Sequence, residues 1–179
     1  MSSQSTCRGE RMAIRKTYWV ALVAILTSFQ VFASDLPNPS LTPGTIDPSI
    51  TQENIQSTVC IKGYTKTVRP PASYTNKLKK RQMRQYGYAD TNPKHYEEDH
   101  LIPLSIGGNP QDPRNLWPEP RISEWNAAKK DTLEYTLYRM VCDGEITLKE
   151  AQNEVASNWI EARKRYVHGK TRHGYRRVD

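Results

Sequence analysis

Asp99 and His100 stand side by side in Tyr96-Glu-Glu-Asp-His-Leu-Ile-Pro-Leu. A Gly107-Gly108 turn follows, Asn115 precedes Leu-Trp-Pro, and Asn126 opens Asn-Ala-Ala-Lys-Lys130. These residue types, in this order, suit phosphodiester hydrolysis assisted by one cation. A phosphodiester is anionic, so attack on it requires charge neutralisation, which a bound cation supplies as a Lewis acid. Asp99 offers a hard anionic oxygen and Asn126 a neutral carbonyl oxygen. Two protein ligands leave positions open for water and phosphate, which suits Mg²⁺ first, with Mn²⁺, Ca²⁺ or Zn²⁺ as alternatives. Zinc fits least, because Asp and Asn are poor soft-metal ligands. His100 is the general base: an imidazole with an ordinary pKa near 6.5 is commonly neutral at pH 7 and can take a proton from water. It also needs a fixed tautomer. A carbonyl oxygen can accept its Nδ1 proton, either from the backbone or from the Asn115 side chain.

The elements that must position these groups follow from pattern. Residues 96–103 read as a strand, Gly107-Gly108 and Asn109-Pro110 as a turn, and the chain returns through Asn115-Leu116-Trp117. Neighbouring strand residues face opposite sides, so Asp99 and His100 can serve one site only if the strand bends or ends there. A helix follows, with Ser123 as its expected N-cap. Asn126 then lies about three residues inside that cap, near a helix N-terminus that favours anions. Trp125, Ala128, Leu133, Leu137 and Val141 make one apolar stripe, which Gly144 ends. Thr147-x-x-Glu150 is a capping box that opens a last helix, whose buried face is Ala151, Val155, Trp159, Ala162 and Tyr166. Short loops between such helices give an antiparallel pair. Upstream, Val59–Val68 reads as a strand stopped by Pro70-Pro71, and residues 75–86 as a helix closed by Gly87. The fold class is α+β: a two-stranded hairpin and helix with flanking helices.

The helix over 75–86 carries Lys77, Lys79, Lys80, Arg81 and Arg84. Such a run is either a solvated face or a set of phosphate contacts. Lys129 and Lys130 are further candidates to meet substrate phosphate. His168 and His173 lie in a basic stretch from Lys164 to Arg177, and residues 169–179 read as a flexible tail.

Arg11, Arg15 and Lys16 precede a mostly apolar run from Tyr18 to Phe32, and Val31-Phe32-Ala33 offers a signal-peptidase site at Ala33/Ser34. The run is short and polar for a membrane span, which needs about 20 residues. Residues 1–33 therefore read as a signal peptide, with Met1 or Met12 as the start, and the protein as periplasmic or secreted without stable membrane association. Four basic residues and one acidic residue leave with it, so the net charge of +7 falls to +4. That is compatible with nucleic acid without requiring it. Cys7 leaves too. Cys60 and Cys142 remain, and an even count in an exported chain argues for one disulfide over two free thiols. Residues 34–51, rich in Pro, Ser and Thr, read as an extended or disordered leader, and 52–168 as the ordered domain.

Strand, turn, strand and helix, carrying Asp99-His100-Leu-Ile-Pro103, Gly107-Gly108, Asn115-Leu116 and Asn126 through Lys130, resemble the HNH nucleases of the ββα-metal, or His-Me finger, class. The wider segment from Cys60 through Trp159 is similar to exported bacterial members that share Tyr-Glu-x-Asp-His-Leu-Ile-Pro-Leu and Asn-Leu-Trp-Pro. The resemblance implies an endonuclease acting on nucleic acid, DNA before RNA. It gives Asp99 and Asn126 the role of metal ligands, His100 that of base, Asn115 that of the middle Asn, and Lys129 or Lys130 that of the lysine meeting phosphate. The alternative is a non-catalytic exported nucleic-acid-binding module that keeps the same scaffold.

Overall fold

A computed structural model describes residues 34–167; the signal-peptide and basic-tail expectations lie outside these residues. The described chain is α+β, with one antiparallel two-stranded sheet and four α-helices. The helices are α1 (Tyr64–Val68), α2 (Ala72–Tyr86), α3 (Ala127–Cys142) and α4 (Leu148–Tyr166); the strands are β1 (Tyr96–His100) and β2 (Leu116–Pro120). None of these helices is long and apolar enough to cross a membrane.

β1 and β2 pair in the register Tyr96↔Pro120 to His100↔Leu116, with Asp99 opposite Trp117 and Glu97 opposite Glu119. Alternation divides the hairpin's faces. Trp117 joins the main core with Leu133, Leu137 and Val141 of α3 and Val155, Trp159 and Ala162 of α4. Tyr96, on the other face, packs in a smaller cluster with Met83 of α2 and Tyr88, whose ring it stacks on at 5.1 Å. α3 and α4 pack as the expected antiparallel pair. The Thr147 side chain caps α4 by accepting the Glu150 N–H at 3.1 Å. Asn158 interrupts α4 with an extended backbone, and its Oδ1 accepts the N–H groups of Ile160 and Glu161, capping the second half afresh.

Three expectations need correction. Residues 59–68 do not form a strand. Hydrogen-bonded turns run through Cys60 and Ile61, and α1 begins after Gly63, which sits at φ 91°. The apolar residues that suggested a strand are split between the buried Val59 and the exposed Ile61. The cap of α3 is Asn126, not Ser123, so Trp125 precedes the helix, and its buried stripe runs through Ala127, Lys130, Leu133, Leu137 and Val141 while Ala128 is exposed. Finally, residues 34–50 are a chain of turns and irregular stretches that belongs to the packed unit. Thr42 is fully buried and donates to Leu116 O at 3.2 Å, Ile46 bridges Gly108, and Asp35 O accepts the Trp159 indole N–H at 3.0 Å. The segment's prolines disfavour helix, and its few apolar and hydroxyl groups suffice to seat it on the core.

The disulfide Cys60–Cys142 is formed, with Cα atoms 5.7 Å apart across a separation of 82 residues. It ties the turns before α1 to the end of α3. Gln56 Nε2 adds a bond to Cys142 O at 2.9 Å.

Candidate functional site

β1 ends at His100, and Asp99 and His100 leave it on opposite sides. Asp99 faces α3: its Oδ2 lies 2.6 Å from the Lys130 ammonium. His100 faces the β1–β2 connection: its Nε2 lies 3.0 Å from Pro110 O. A carbonyl oxygen only accepts, so Nε2 carries the proton and Nδ1 keeps a free lone pair. The orienting group is thus a backbone carbonyl, and the ring nitrogen is Nε2 in place of the expected Nδ1. His100 is 3% exposed. Burial pushes its pKa below the ordinary value, against the opposing pull of the Pro110 hydrogen bond and the Asp99 charge, so the ring is neutral at pH 7.

Among the described residues, Asn115 makes its side-chain hydrogen bonds elsewhere than to the imidazole. It is fully buried and knits the loop: Oδ1 accepts Ile102 N–H at 2.9 Å, and Nδ2 donates to Ile102 O and Asn109 O, each at 3.0 Å. Gly108 lies against it so closely that a Cβ there would sit 1.8 Å from Ile102 O. Asn115 therefore acts on His100 by fixing the loop that carries Pro110.

Asn126 is the N-cap of α3. Its Oδ1 accepts Lys129 N–H at 3.2 Å and its Nδ2 donates to Ser123 O at 3.2 Å. The two lysines that follow diverge. Lys129 turns outward, donating to Glu124 O and lying 5.0 Å from the Trp125 ring centre. Lys130 turns inward and is fully buried. Its ammonium bonds Asp99, His100 O at 2.8 Å and Glu134, and lies 3.9 Å from Glu119 Oε2. Of the two phosphate candidates, only Lys129 reaches the surface.

Glu119 and Glu134 escaped the sequence reading. Glu119 is fully buried, and its carboxyl shares a side-chain hydrogen bond with Asp99. Burial raises its pKa strongly. Burial also raises Glu134, to about 8. Asp99 behaves differently: burial opposes its charge, but Lys130 outweighs that and holds it at about 2. Burial likewise opposes the charge on Lys130, yet the surrounding carboxylates keep it protonated. The signal that could have exposed this cluster is spacing: Lys130 falls on the stripe with Leu133, Leu137 and Val141, and Glu119 on the strand face of Trp117.

A polar cleft of about 380 Å³ opens at this cluster, between α2, β1 and α3. Glu97, Glu98, Asp99, Asp131 and Glu134 line it, with Arg69, Lys79 and Arg121 among them. Glu98 is pushed up to about 9 by burial, and among the described residues neither of its carboxyl oxygens has a hydrogen-bond partner. Lys79 holds Tyr96 O at 3.0 Å, and Arg121 pairs with Glu97 at 2.8 Å. Lys80 and Arg81 are exposed on α2. The cleft thus brings Asp99 together with Lys79, while Asn126, Asn115 and His100 do not line it.

Oxygen donors fit a hard dication: Asp99 lines the cleft with a side-chain exposure of 17%, and the Asn126 carbonyl oxygen, outside that lining, keeps a second lone pair. Among the described residues, no three His, Cys, Asp or Glu side chains form a group able to hold a metal ion by themselves. Such an ion would have to complete its shell with amide oxygen, water and phosphate. Comparison of the chain with protein-family models, with curated proteins and with solved structures finds no match.

Proposed function

We propose that this chain is an exported, metal-dependent endonuclease that hydrolyses phosphodiester bonds of nucleic acid, DNA before RNA. The observation that carries the reading is His100: a neutral imidazole with Nε2–H tied to Pro110 O and Nδ1 left as acceptor, next in sequence to a carboxylate held ionised. Asp99 and Asn126 would hold the cation. When bound, it supplies charge neutralisation at the phosphate. His100 Nδ1 accepts a proton from the attacking water, and the Pro110 carbonyl stabilises the imidazolium that results. A ring only 3% exposed serves a water enclosed at the site, not bulk solvent. Asn115 and Gly108 hold the loop so that the imidazole keeps this orientation. Lys129 and the exposed cations of α2 neutralise and position substrate.

A second reading has its own observation. Asp99 is already paired with Lys130, and Asn126 is already spent as a helix cap, so both have structural work without any metal. On that basis the chain is a nucleic-acid-binding module that keeps the scaffold without the chemistry. Incubation of the chain from Ser34 onward with DNA and RNA, under Mg²⁺, Mn²⁺, Zn²⁺ or chelator, separates the two. Cleavage that chelator abolishes supports the enzyme; binding without cleavage under every metal supports the module.

A further inference from the structure

A second concavity, of about 440 Å³, adjoins the carboxylate cleft. The two share a wall made of Asn76, Lys79 and Arg121. Beyond that wall the chemistry changes sign. The cleft is crowded with carboxylates, whereas the groove is lined by Lys79, Lys80, Lys94 and Arg121 and by no acidic residue. These cations come from three separate stretches: α2, the 3-10 turn Pro93–His95, and the residue after β2. Two are braced, Lys79 on Tyr96 O and Arg121 on Glu97. The other two, Lys80 and Lys94, are exposed at the rim.

We infer that this groove is a subsite for a backbone phosphate flanking the one to be cleaved, so that a polynucleotide strand runs from the carboxylate cleft across Lys79 and Arg121 to Lys80 and Lys94. The inference rests on the nuclease reading for the position of the scissile phosphate. Convergent cations with no acid among them fit a polyanion, and their continuity with the cleft fits one whose charges repeat along a chain. Tyr96 is the aromatic residue of the groove, and at 3% exposure its ring offers no platform for a base. The groove therefore reads backbone and not base identity. Arg81, next along α2, does not line it.

The test is fluorescence anisotropy on the chain from Ser34 onward, with chelator present, using a labelled thymidylate strand of about 12 nucleotides, within the span of known single-strand sites. Titrations at several salt concentrations compare the unaltered protein with Lys80→Ala/Lys94→Ala and with a control of equal charge loss, Lys62→Ala/Lys149→Ala. Two lost contacts should flatten the slope of log affinity against log salt by about 1.4. At low salt the rim variant should bind about tenfold more weakly, and an adenylate strand should show the same contrast. The control should keep the original slope. Equal slopes in the two double variants would overturn the subsite, as would full competition by polyglutamate at matched charge, which would mark an acidic-protein site. Metal-dependent cleavage alongside an unaltered slope sinks the subsite and leaves the nuclease. A flattened slope without cleavage under any divalent metal keeps the groove as a polyanion site and sinks the nuclease.

Discussion

The ammonium of Lys130 lies 2.6 Å from Asp99 Oδ2 while the lysine side chain is wholly buried. Glu134 shares the same ammonium from one turn further along α3, and Glu119 flanks it from β2. One internal cation therefore pins the carboxylate at the end of β1 to the helix behind it. Lys130→Met should destabilise the fold by about 3–5 kcal/mol, because it leaves buried carboxylates without their cation. Urea unfolding at pH 7 reads the loss. A loss below about 1 kcal/mol, the range of exposed pairs, would place Lys130 at the surface.

Glu98 supplies a pH-dependent prediction. Its folded pKa, about 9, lies above the ordinary 4.5 because burial disfavours the carboxylate. Between those values the folded state binds more protons than the unfolded one, so stability falls as pH rises through that window. Glu98→Gln removes the titration. The variant should gain stability at pH 8 by up to about 5 kcal/mol relative to its difference at pH 4, about 3.5 pH units at about 1.4 kcal/mol each. Thermal melts at the two pH values decide it, and a difference that does not change with pH would contradict the burial of this carboxyl.

The Cys60–Cys142 bridge closes a loop of 82 residue steps that contains both strands and the whole of α3, whose last residue is Cys142. Loop entropy gives it about 4 kcal/mol, with measured values often lower. Reduction should lower the urea midpoint accordingly and add two hydrogens to the intact mass. Two free thiols in protein isolated under non-reducing conditions would refute the bridge.

Asn115 tests how His100 is held. Asn115→Ala removes bonds to Ile102 and Asn109 inside the core, and should cost roughly 2–4 kcal/mol from several lost or orphaned partners. If instead Asn115 oriented the imidazole directly, the variant would lose activity with its stability intact. Comparing unfolding free energy with the pH dependence of any activity separates loop clamp from ring partner.

The hairpin, the helix pair and the disulfide are legible in the chain because each rests on local signals: the Gly107-Gly108 turn, the Thr147 cap, Gly87 in the left-handed region, and an even cysteine count in an exported-looking sequence. What was illegible depends on tertiary choice. Ser123 and Asn126 are equally good caps by residue type, and only the path of the chain after β2 selects Asn126. Lys130 and Glu134 are spaced i, i+4 on α3, a pairing common on exposed helix faces, and only the hairpin packed over them makes it internal. The leader's prolines argue against helix but not for or against packing; the burial of Thr42 and Ile50 shows that the segment is seated on the core. The site was legible as a set of residues and less so as contacts, since the partner of His100 is a backbone carbonyl that any residue could have supplied.

The central claim is that His100 is a base in phosphodiester hydrolysis. The most direct measurement is cleavage of plasmid DNA under Mg²⁺ or Mn²⁺ by the unaltered chain and by His100→Ala, with melting curves and DNA affinity recorded for both. The account predicts cleavage that chelator abolishes, and a loss of about 10²–10⁴-fold in the variant at preserved folding and affinity. Its acid limb should lie below the ordinary histidine value, in keeping with the lowered pKa of His100. Near-normal turnover by His100→Ala at neutral pH, or no cleavage by the unaltered chain under any divalent metal, would contradict it.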